Sequence, residues 1–191
     1  MTVRNRGGGC MAIRDATKSM FAQALDELLR TTPLQKVSVK ALCLQCGAER
    51  QTFYYHFKDK YDLAAWMLSR EWEGVLERFG GKFCPEQLAA YLDCVRAHQI
   101  FYKRLYADET SSLLPKFLFQ QETERVRLLL LSRLGLSRLS ETQEFAVIYH
   151  VNGCIGSAIA WARTGFRMPP EQVAALHYSM LDVLVREAGR L

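Results

Sequence analysis

Polar aromatic, hydroxyl and cationic side chains are concentrated in one short stretch of this chain, RQTFYYHFKDK, at positions 50–60. Its members combine hydrogen-bond donors with positive charge, and proteins use both properties to bind phosphates and to read base edges in nucleic acids. The candidate binding residues are Arg50, Gln51, Thr52, Tyr54, Tyr55, His56 and Lys60. The interleaved Phe53 and Phe57 suit a hydrophobic core, so the stretch predicts one buried face and one face for a polyanion.

The six cysteines offer a second kind of chemistry. Cys43 and Cys46 form a Cys-x-x-Cys pair, a spacing that occurs in redox and zinc sites. A structural zinc site needs four ligands, and no second pair lies nearby in the sequence, so we interpret both cysteines as core residues of a helix. The irregular spacing of the cysteines, with no secretory signal before them, predicts reduced thiols and a cytoplasmic location.

Enzymatic motifs are not recognisable in the sequence. An enzyme would have to use Cys94 or Cys154 with His98 or His150, and no nucleophile motif, glycine-rich phosphate loop or acid pair supports that alternative. The same two histidines are candidates for a pH or metal response, but no ligand spacing supports it. We therefore predict no enzymatic activity, no cofactor and no metal site. No segment reaches about 18 consecutive apolar residues, so we expect no membrane partner.

The net positive charge is confined to the first third of the chain. Residues 1–60 contain ten Lys and Arg against five Asp and Glu, and therefore carry the whole formal net charge of +5. Such asymmetry indicates a polyanionic partner for that third. Residues 1–10, with two arginines and three consecutive glycines, are interpreted as a flexible tail or as a basic arm that lies in a DNA groove.

Helical periodicity dominates the elements that must position these residues. Helices are predicted over residues 14–29, 39–46, 49–55, 60–79, 85–106, 113–134, 141–164 and 170–188. Ser38 suits the N-cap of the second helix, and Gly47 suits the left-handed position after it. Two short helices around a tight turn form a helix-turn-helix, whose second helix enters the DNA major groove. The predicted fold is all-α, with about nine helices: an N-terminal three-helix helix-turn-helix domain, residues 1–62, joined to a C-terminal helical bundle, residues 63–191.

The segment GAERQTFYYHFKDKYDL resembles the signature of the TetR/AcrR family of transcriptional regulators, and VSVKAL resembles the start of that family's second helix. The resemblance covers residues 14–63. The segment NGCIGSAIAWARTGFRMPPEQ is similar to the subgroup that includes dihydroxyacetone-kinase operon regulators. The resemblance implies a homodimer that binds double-stranded operator DNA and answers to a small-molecule effector, most simply as a repressor. The alternative is an adaptor whose C-terminal domain binds a partner protein.

The family pattern also implies roles for single residues. Arg50 stands where the family reads a base, and Gln51 reads adenine or touches the backbone. The family's phosphate contacts fall on Thr52, Tyr54, His56 and Lys60, and Tyr55 adds a thymine-methyl or sugar contact. In the C-terminal domain the resemblance implies dimerisation through the last two helices. We predict effector contacts at polar or aromatic residues of the central helices, namely Tyr91, Cys94, His98, Tyr102, Phe117, His150 and Trp161.

Overall fold

The structure is a computed structural model that describes the backbone of residues 8–80, 84–106 and 113–191, and side chains over 15–80, 84–105, 116 and 118–191. Its helices are α1 Gly8–Leu29, α2 Val39–Cys46, α3 Arg50–His56, α4 Lys60–Arg78, α5 Pro85–Ala97, α6 Gln99–Tyr106, α7 Leu113–Leu134, α8 Glu141–Arg163 and α9 Pro170–Ala188. A 3₁₀ turn at Leu34–Lys36 precedes α2, and the described ranges contain no β-strand. The predicted all-α fold is confirmed.

Helix α1 begins at Gly8 rather than at Arg14, so the expected N-terminal arm is shorter than predicted, and its remaining residues, 1–7, lie outside the described part of the chain. Contacts divide the protein into two compact units, Met1–Arg70 and Glu71–Leu191. Helix α4 contributes residues to both units.

The first unit has an aromatic core. Phe21 of α1 meets Phe53 of α3 edge to face, with ring centroids 5.2 Å apart, and Phe57 lies 5.7 Å from Phe53. All three rings are almost fully buried. Edge-to-face packing of this kind adds to the burial energy of the rings, and it fixes α3 against α1.

The turn between α2 and α3 forms as its sequence predicts. The Ser38 hydroxyl accepts a hydrogen bond from the Ala41 amide at 3.1 Å and caps α2. Gly47 follows α2 with φ of 65°, the left-handed conformation that glycine adopts at no steric cost. The Ala48 amide then donates to the Cys43 carbonyl at 2.9 Å. The tight turn sets the angle at which α3 leaves α2.

The second unit is built from the end of α4 and from α5–α9, with α5 and α8 both packed on α9, and with α6 and α7 packed on α8. Its buried cluster includes Val126, Leu130, Val147, Val151 and Leu181. Helix α8 begins with a capping box, in which the Ser140 hydroxyl accepts from the Gln143 amide and the Gln143 side chain accepts from the Ser140 amide. The same buried Gln143 donates to the Ala188 carbonyl at 2.8 Å, which joins the start of α8 to the end of α9.

The predicted continuous helix over residues 85–106 is wrong, because it breaks at His98 into α5 and α6. No glycine or proline marks the break in the sequence. It coincides with a tertiary contact: the Glu71 carboxylate bonds the His98 ring and also accepts from the Tyr102 hydroxyl at 2.5 Å. Residues on both sides of the break are thereby held to α4.

Among the described helices, α8 alone has the length and hydropathy of a membrane span. Only 22% of its apolar window is buried inside the protein. One such helix is weak evidence for a membrane protein, and an exposed apolar face equally suits contact with a second protein surface.

Candidate DNA-binding surface and effector cavity

Helix α3 presents its polar side chains outward. Phe53 is fully buried and anchors the helix, whereas Arg50, Gln51 and Thr52 are exposed. Tyr54 and Tyr55 are 51% and 66% exposed, which is unusual for large rings. Buried Phe53 thus divides the helix into the two faces that the sequence predicted.

Arg50 and Tyr54 form a pair one turn apart on that outer face. The Arg50 guanidinium lies 3.4 Å from the Tyr54 hydroxyl, and its carbon lies 6.0 Å from the ring centroid. The hydrogen bond to Tyr54, followed by the charge interaction with it, raises the pKa of Arg50. Arg50 is therefore a fully charged donor whose planar fork suits the O6 and N7 atoms of guanine.

Lys60 has a role inside the unit that the sequence did not indicate. Its ammonium donates to the Gln35 carbonyl at 2.6 Å and to the Val37 carbonyl at 2.9 Å. These bonds hold the start of α4 to the 3₁₀ turn and to the residue that follows it. Lys60 therefore has a positioning role, while its phosphate contact stays a prediction.

His56 is half-buried at the end of α3. Its ring lies 5.0 Å from the Tyr55 ring and 6.3 Å from the Phe57 ring, centroid to centroid. Arg50, Gln51, Thr52, Tyr54 and Tyr55 share the exposed surface of α3, while His56 lies at its edge.

The Cys-x-x-Cys pair packs into the unit, as the core interpretation predicts. Cys43 is buried, and burial, followed by the proximity of Cys46, raises the pKa of its thiol. The Cys46 sulfur donates to the Leu42 carbonyl at 3.1 Å. A protonated thiol in a helix core is chemically inert, so this arrangement supports packing rather than redox chemistry.

The second unit contains a cavity of about 850 Å³ with mostly apolar walls. A volume of this size falls in the range of small-molecule sites. Its lining includes Trp72, Leu88, Tyr91, Leu92, Val95, Leu118, Gln121, Glu122, His150, Cys154, Trp161 and His177, together with the exposed side chains Phe145, Tyr149, Leu176 and Met180. Trp72 and Tyr91 meet edge to face, with centroids 4.9 Å apart, and form an aromatic part of the wall.

Three of the predicted effector residues line this cavity: Tyr91, His150 and Trp161. Tyr102 and His98 instead bond Glu71, and the Cys94 sulfur lies 3.9 Å from the Arg78 guanidinium. These three make contacts between helices and are not part of the cavity lining. The remaining prediction concerns Phe117, whose side chain lies outside the described residues.

One end of the cavity carries a charged group that sequence reasoning missed. Glu122 and His177 line the cavity; Arg125, buried behind the lining, pairs with Glu122, and its guanidinium also lies 2.9 Å from His177 Nε2. Burial tends to raise the pKa of Glu122, but the charge and hydrogen bonds of Arg125 outweigh burial and lower it. A buried charge is tolerated only when it is paired, so this end of the cavity is a pre-formed polar site.

Histidine protonation is disfavoured at the same end. Burial, followed by the positive charge of Arg125 and the neighbouring His150, lowers the pKa of His177 to about 4, although Glu122 opposes the shift. Burial also lowers the pKa of His150. Both rings are therefore neutral at physiological pH, with lone pairs available as acceptors or ligands. The sequence signal that could have pointed here is the i, i+4 spacing of His150 and Cys154.

An exposed apolar face runs along α8 and α9. On α8, Phe145 is 69% and Tyr149 is 78% exposed. On α9, Leu176 and Met180 are 55% and 48% exposed. Gly156 lies on the same side of α8, and a Cβ added there would meet nothing within 4 Å. Large exposed apolar residues beside exposed glycines are typical of a helical face that packs against another chain.

Comparisons with known proteins agree with this architecture. The profile described as "Bacterial regulatory proteins, tetR family" matches residues 22–66, and "Transcriptional regulator C-terminal region" (TetR_C_8) matches residues 84–182. The HTH-type dhaKLM operon transcriptional activator DhaS of Lactococcus lactis is 24% identical over an alignment of 120 residues that covers 56% of this chain and 63% of that protein. The chain thus matches less than two thirds of the length of this curated relative.

Two solved structures share the fold. The dihydroxyacetone kinase operon activator DhaS superimposes with a TM-score of 0.65 at 16% identity, over 89% of this chain and 96% of that chain. A tetR-family transcriptional regulator from Streptomyces coelicolor gives a TM-score of 0.56 at 18% identity, over 91% and 88% of the two chains. The helix-turn-helix unit, the second helical unit and the profiles that match each of them agree: this chain belongs to the TetR family of bacterial regulatory proteins.

Proposed function

We propose that this regulator binds a palindromic operator as a homodimer and is controlled by a small molecule held in the second unit. The observation that carries the proposal is the outer face of α3, where Arg50, Gln51, Thr52, Tyr54 and Tyr55 are exposed on a helix anchored by Phe53. Arg50 is the principal base reader, with Gln51 beside it. Thr52, Tyr54, Tyr55, His56 and Lys60 contact the DNA backbone or neighbouring sugars and methyl groups.

The α8–α9 face supports the dimer. A single helix-turn-helix covers few base pairs, and a two-fold dimer doubles the surface and matches the symmetry of a palindrome. The four large apolar side chains Phe145, Tyr149, Leu176 and Met180 provide the hydrophobic centre that such an interface needs.

The cavity supports effector control. Its apolar walls suit a hydrophobic body, while the buried Arg125–Glu122 pair suits one polar end group. Tyr91, His150 and Trp161 are the predicted effector contacts that line it. An effector acts only through different affinities for the DNA-binding and the released states.

Repression is the simplest direction of control, because a dimer seated on a promoter blocks other proteins there. The DhaS relative is named as an activator, so a promoter–reporter assay decides: expression that falls when the chain is present supports repression, and expression that rises supports activation. We further infer that the protein works in the cytoplasm without a membrane partner, consistent with its family.

The DNA-reading role is tested with a duplex selected from a random pool by the parent protein. Arg50→Ala should lose about 1–3 kcal/mol of preference at one base pair of each half-site. Parent binding should weaken steeply as salt rises, because phosphate contacts release counterions. Arg30→Ala removes an exposed arginine from the turn that follows α1 and is the matched control.

The alternative function, an adaptor whose C-terminal unit binds a partner protein, makes the opposite prediction. If the parent retains no duplex even at low salt, the adaptor explanation replaces the operator one. If Arg50→Ala and Arg30→Ala have equal effects, Arg50 is a bulk charge and not a reader.

A further inference from the structure

Three metal-binding side chains converge on the wall of the cavity: His150, Cys154 and His177. One ligand atom from each lies within 4.8 Å of the others. His150 and Cys154 are one turn apart on α8, so they point from the same face of that helix. His177 approaches from α9, with its ring centroid 5.5 Å from that of His150.

The spacing of two of these atoms already suits a common ion. Zinc binds imidazole nitrogen at about 2.0–2.1 Å and thiolate sulfur at about 2.3 Å, so the two atoms lie roughly 3.5 Å apart around a tetrahedral centre. In this structure His150 Nε2 and Cys154 Sγ are 3.4 Å apart. We propose that His150, Cys154 and His177 form a site for a transition-metal ion such as Zn²⁺, whose fourth coordination position faces the cavity.

The ligand types select the class of metal. One thiolate and two imidazoles suit Zn²⁺, Co²⁺ or copper, whereas Mg²⁺ and Ca²⁺ require oxygen ligands. Three protein ligands with an open fourth position differ from the closed sites that stabilise zinc fingers. The fourth position is therefore available to water or to a donor atom of the effector.

Arg125 is the competitor that the ion has to displace. Its guanidinium donates to His177 Nε2, which places the ring proton on Nδ1 and occupies the Nε2 lone pair. The metal takes that lone pair in place of the arginine hydrogen bond. Arg125 keeps its pair with Glu122, including the bond from its Nε to Glu122 Oε2 at 2.9 Å, so its charge stays compensated.

Cys154 must lose its proton when the ion binds. Cys154 is half-buried beside His150, so an unpaired thiolate would be costly there. A divalent cation offsets that cost by pairing directly with the thiolate, as metal ions do with coordinated thiols. The balance is simple: one proton leaves the thiol for solvent, and one metal–sulfur bond forms without any change of oxidation state.

The test uses the purified full-length chain, stripped with a chelator and titrated with CoCl₂. The expected result is one tightly bound Co²⁺ per chain with a thiolate-to-cobalt charge-transfer band in the near ultraviolet. Cys154→Ser should abolish the band, and His177→Gln should weaken Co²⁺ affinity at least tenfold. Cys94→Ser and Cys46→Ser remove half-buried cysteines outside the cluster and should leave both band and affinity unchanged.

A second measurement needs no variant. Zinc-edge X-ray absorption of the zinc-loaded parent should show one sulfur and at least two imidazole nitrogens around each zinc. A shell with no sulfur, or with the two sulfurs that Cys43 and Cys46 would give, overturns the proposal, as does a cobalt band that survives Cys154→Ser. Both readouts are measured without DNA, so failure of the metal site and failure of the operator proposal are distinguishable.

Discussion

Replacement of Phe145 by alanine tests the proposed dimer face most directly. The ring is 69% exposed on α8. Because so little of it is buried within the chain, its removal leaves the fold of one protomer nearly unchanged. In a dimer the same ring lies against the partner, so the cost of the substitution falls on association.

The magnitude follows from the exposed area. A phenylalanine buries about 200 Å², so the 69% that is exposed amounts to roughly 140 Å² per chain. At about 25 cal/mol/Å², full burial of that area contributes roughly 3.5 kcal/mol, and alanine retains about a third of it. Each chain therefore loses roughly 2 kcal/mol of burial energy, and both chains of a two-fold dimer carry the substitution. Dimerisation should therefore weaken by up to about 4 kcal/mol, or roughly a thousandfold in Kd.

Sedimentation equilibrium of the parent and of Phe145→Ala over a wide concentration range measures this change. Leu128→Ala is the control, because Leu128 is 53% exposed on α7, away from the α8–α9 face. Circular dichroism should show equal helix content in all three proteins. An unchanged dimer Kd for Phe145→Ala, or an equal loss for Leu128→Ala, would refute the assignment of this face.

The structure also predicts the direction of three further effects, on dimerisation, on the free energy of unfolding and on the pH dependence of stability. Gly156→Leu should weaken dimerisation in the same sedimentation assay. Helix content should not fall, because a Cβ at this position meets nothing within 4 Å in the chain and leucine has a helix propensity about 0.5–1 kcal/mol more favourable than glycine. Lys60→Ala should lower the free energy of unfolding in urea by about 1–2 kcal/mol, since two carbonyls lose a charged donor. Lys58→Ala, which removes an exposed side chain, should leave the free energy of unfolding unchanged. Equal losses in the two variants would contradict the positioning role of Lys60. For His177, whose pKa falls from 6.5 to about 4 on folding, the unfolded state binds more protons between those values. Stability of metal-free protein should therefore fall by up to about 3 kcal/mol as the pH drops through that window, and His177→Gln should remove this part of the slope.

Local structure was largely readable from the sequence. Ser38, Gly47 and Ser140 mark helix ends by side-chain and backbone chemistry that acts within a few residues, and all three do so in the structure. The alternation of Phe53 with polar residues likewise determines which side of α3 is buried. Such signals are local, so they can be read from the sequence before the tertiary contacts are known.

Long-range contacts decided the rest. Nothing near His98 in the sequence announces the break between α5 and α6, because the partner of His98 and Tyr102 is Glu71 on another helix. The second role of Lys60 depends in the same way on carbonyls at Gln35 and Val37.

The sequence by itself determined the fold class, the helix-turn-helix and the exposed set on α3, because periodicity, caps and the spacing of Arg50 to Lys60 are properties of neighbouring residues. Only the tertiary structure decided which polar residues of the second unit share a cavity. It brought Glu122, Arg125, His150, Cys154 and His177 together from α7, α8 and α9. Residues so far apart along the chain meet only through helix packing, and that packing depends on the shape of the whole core.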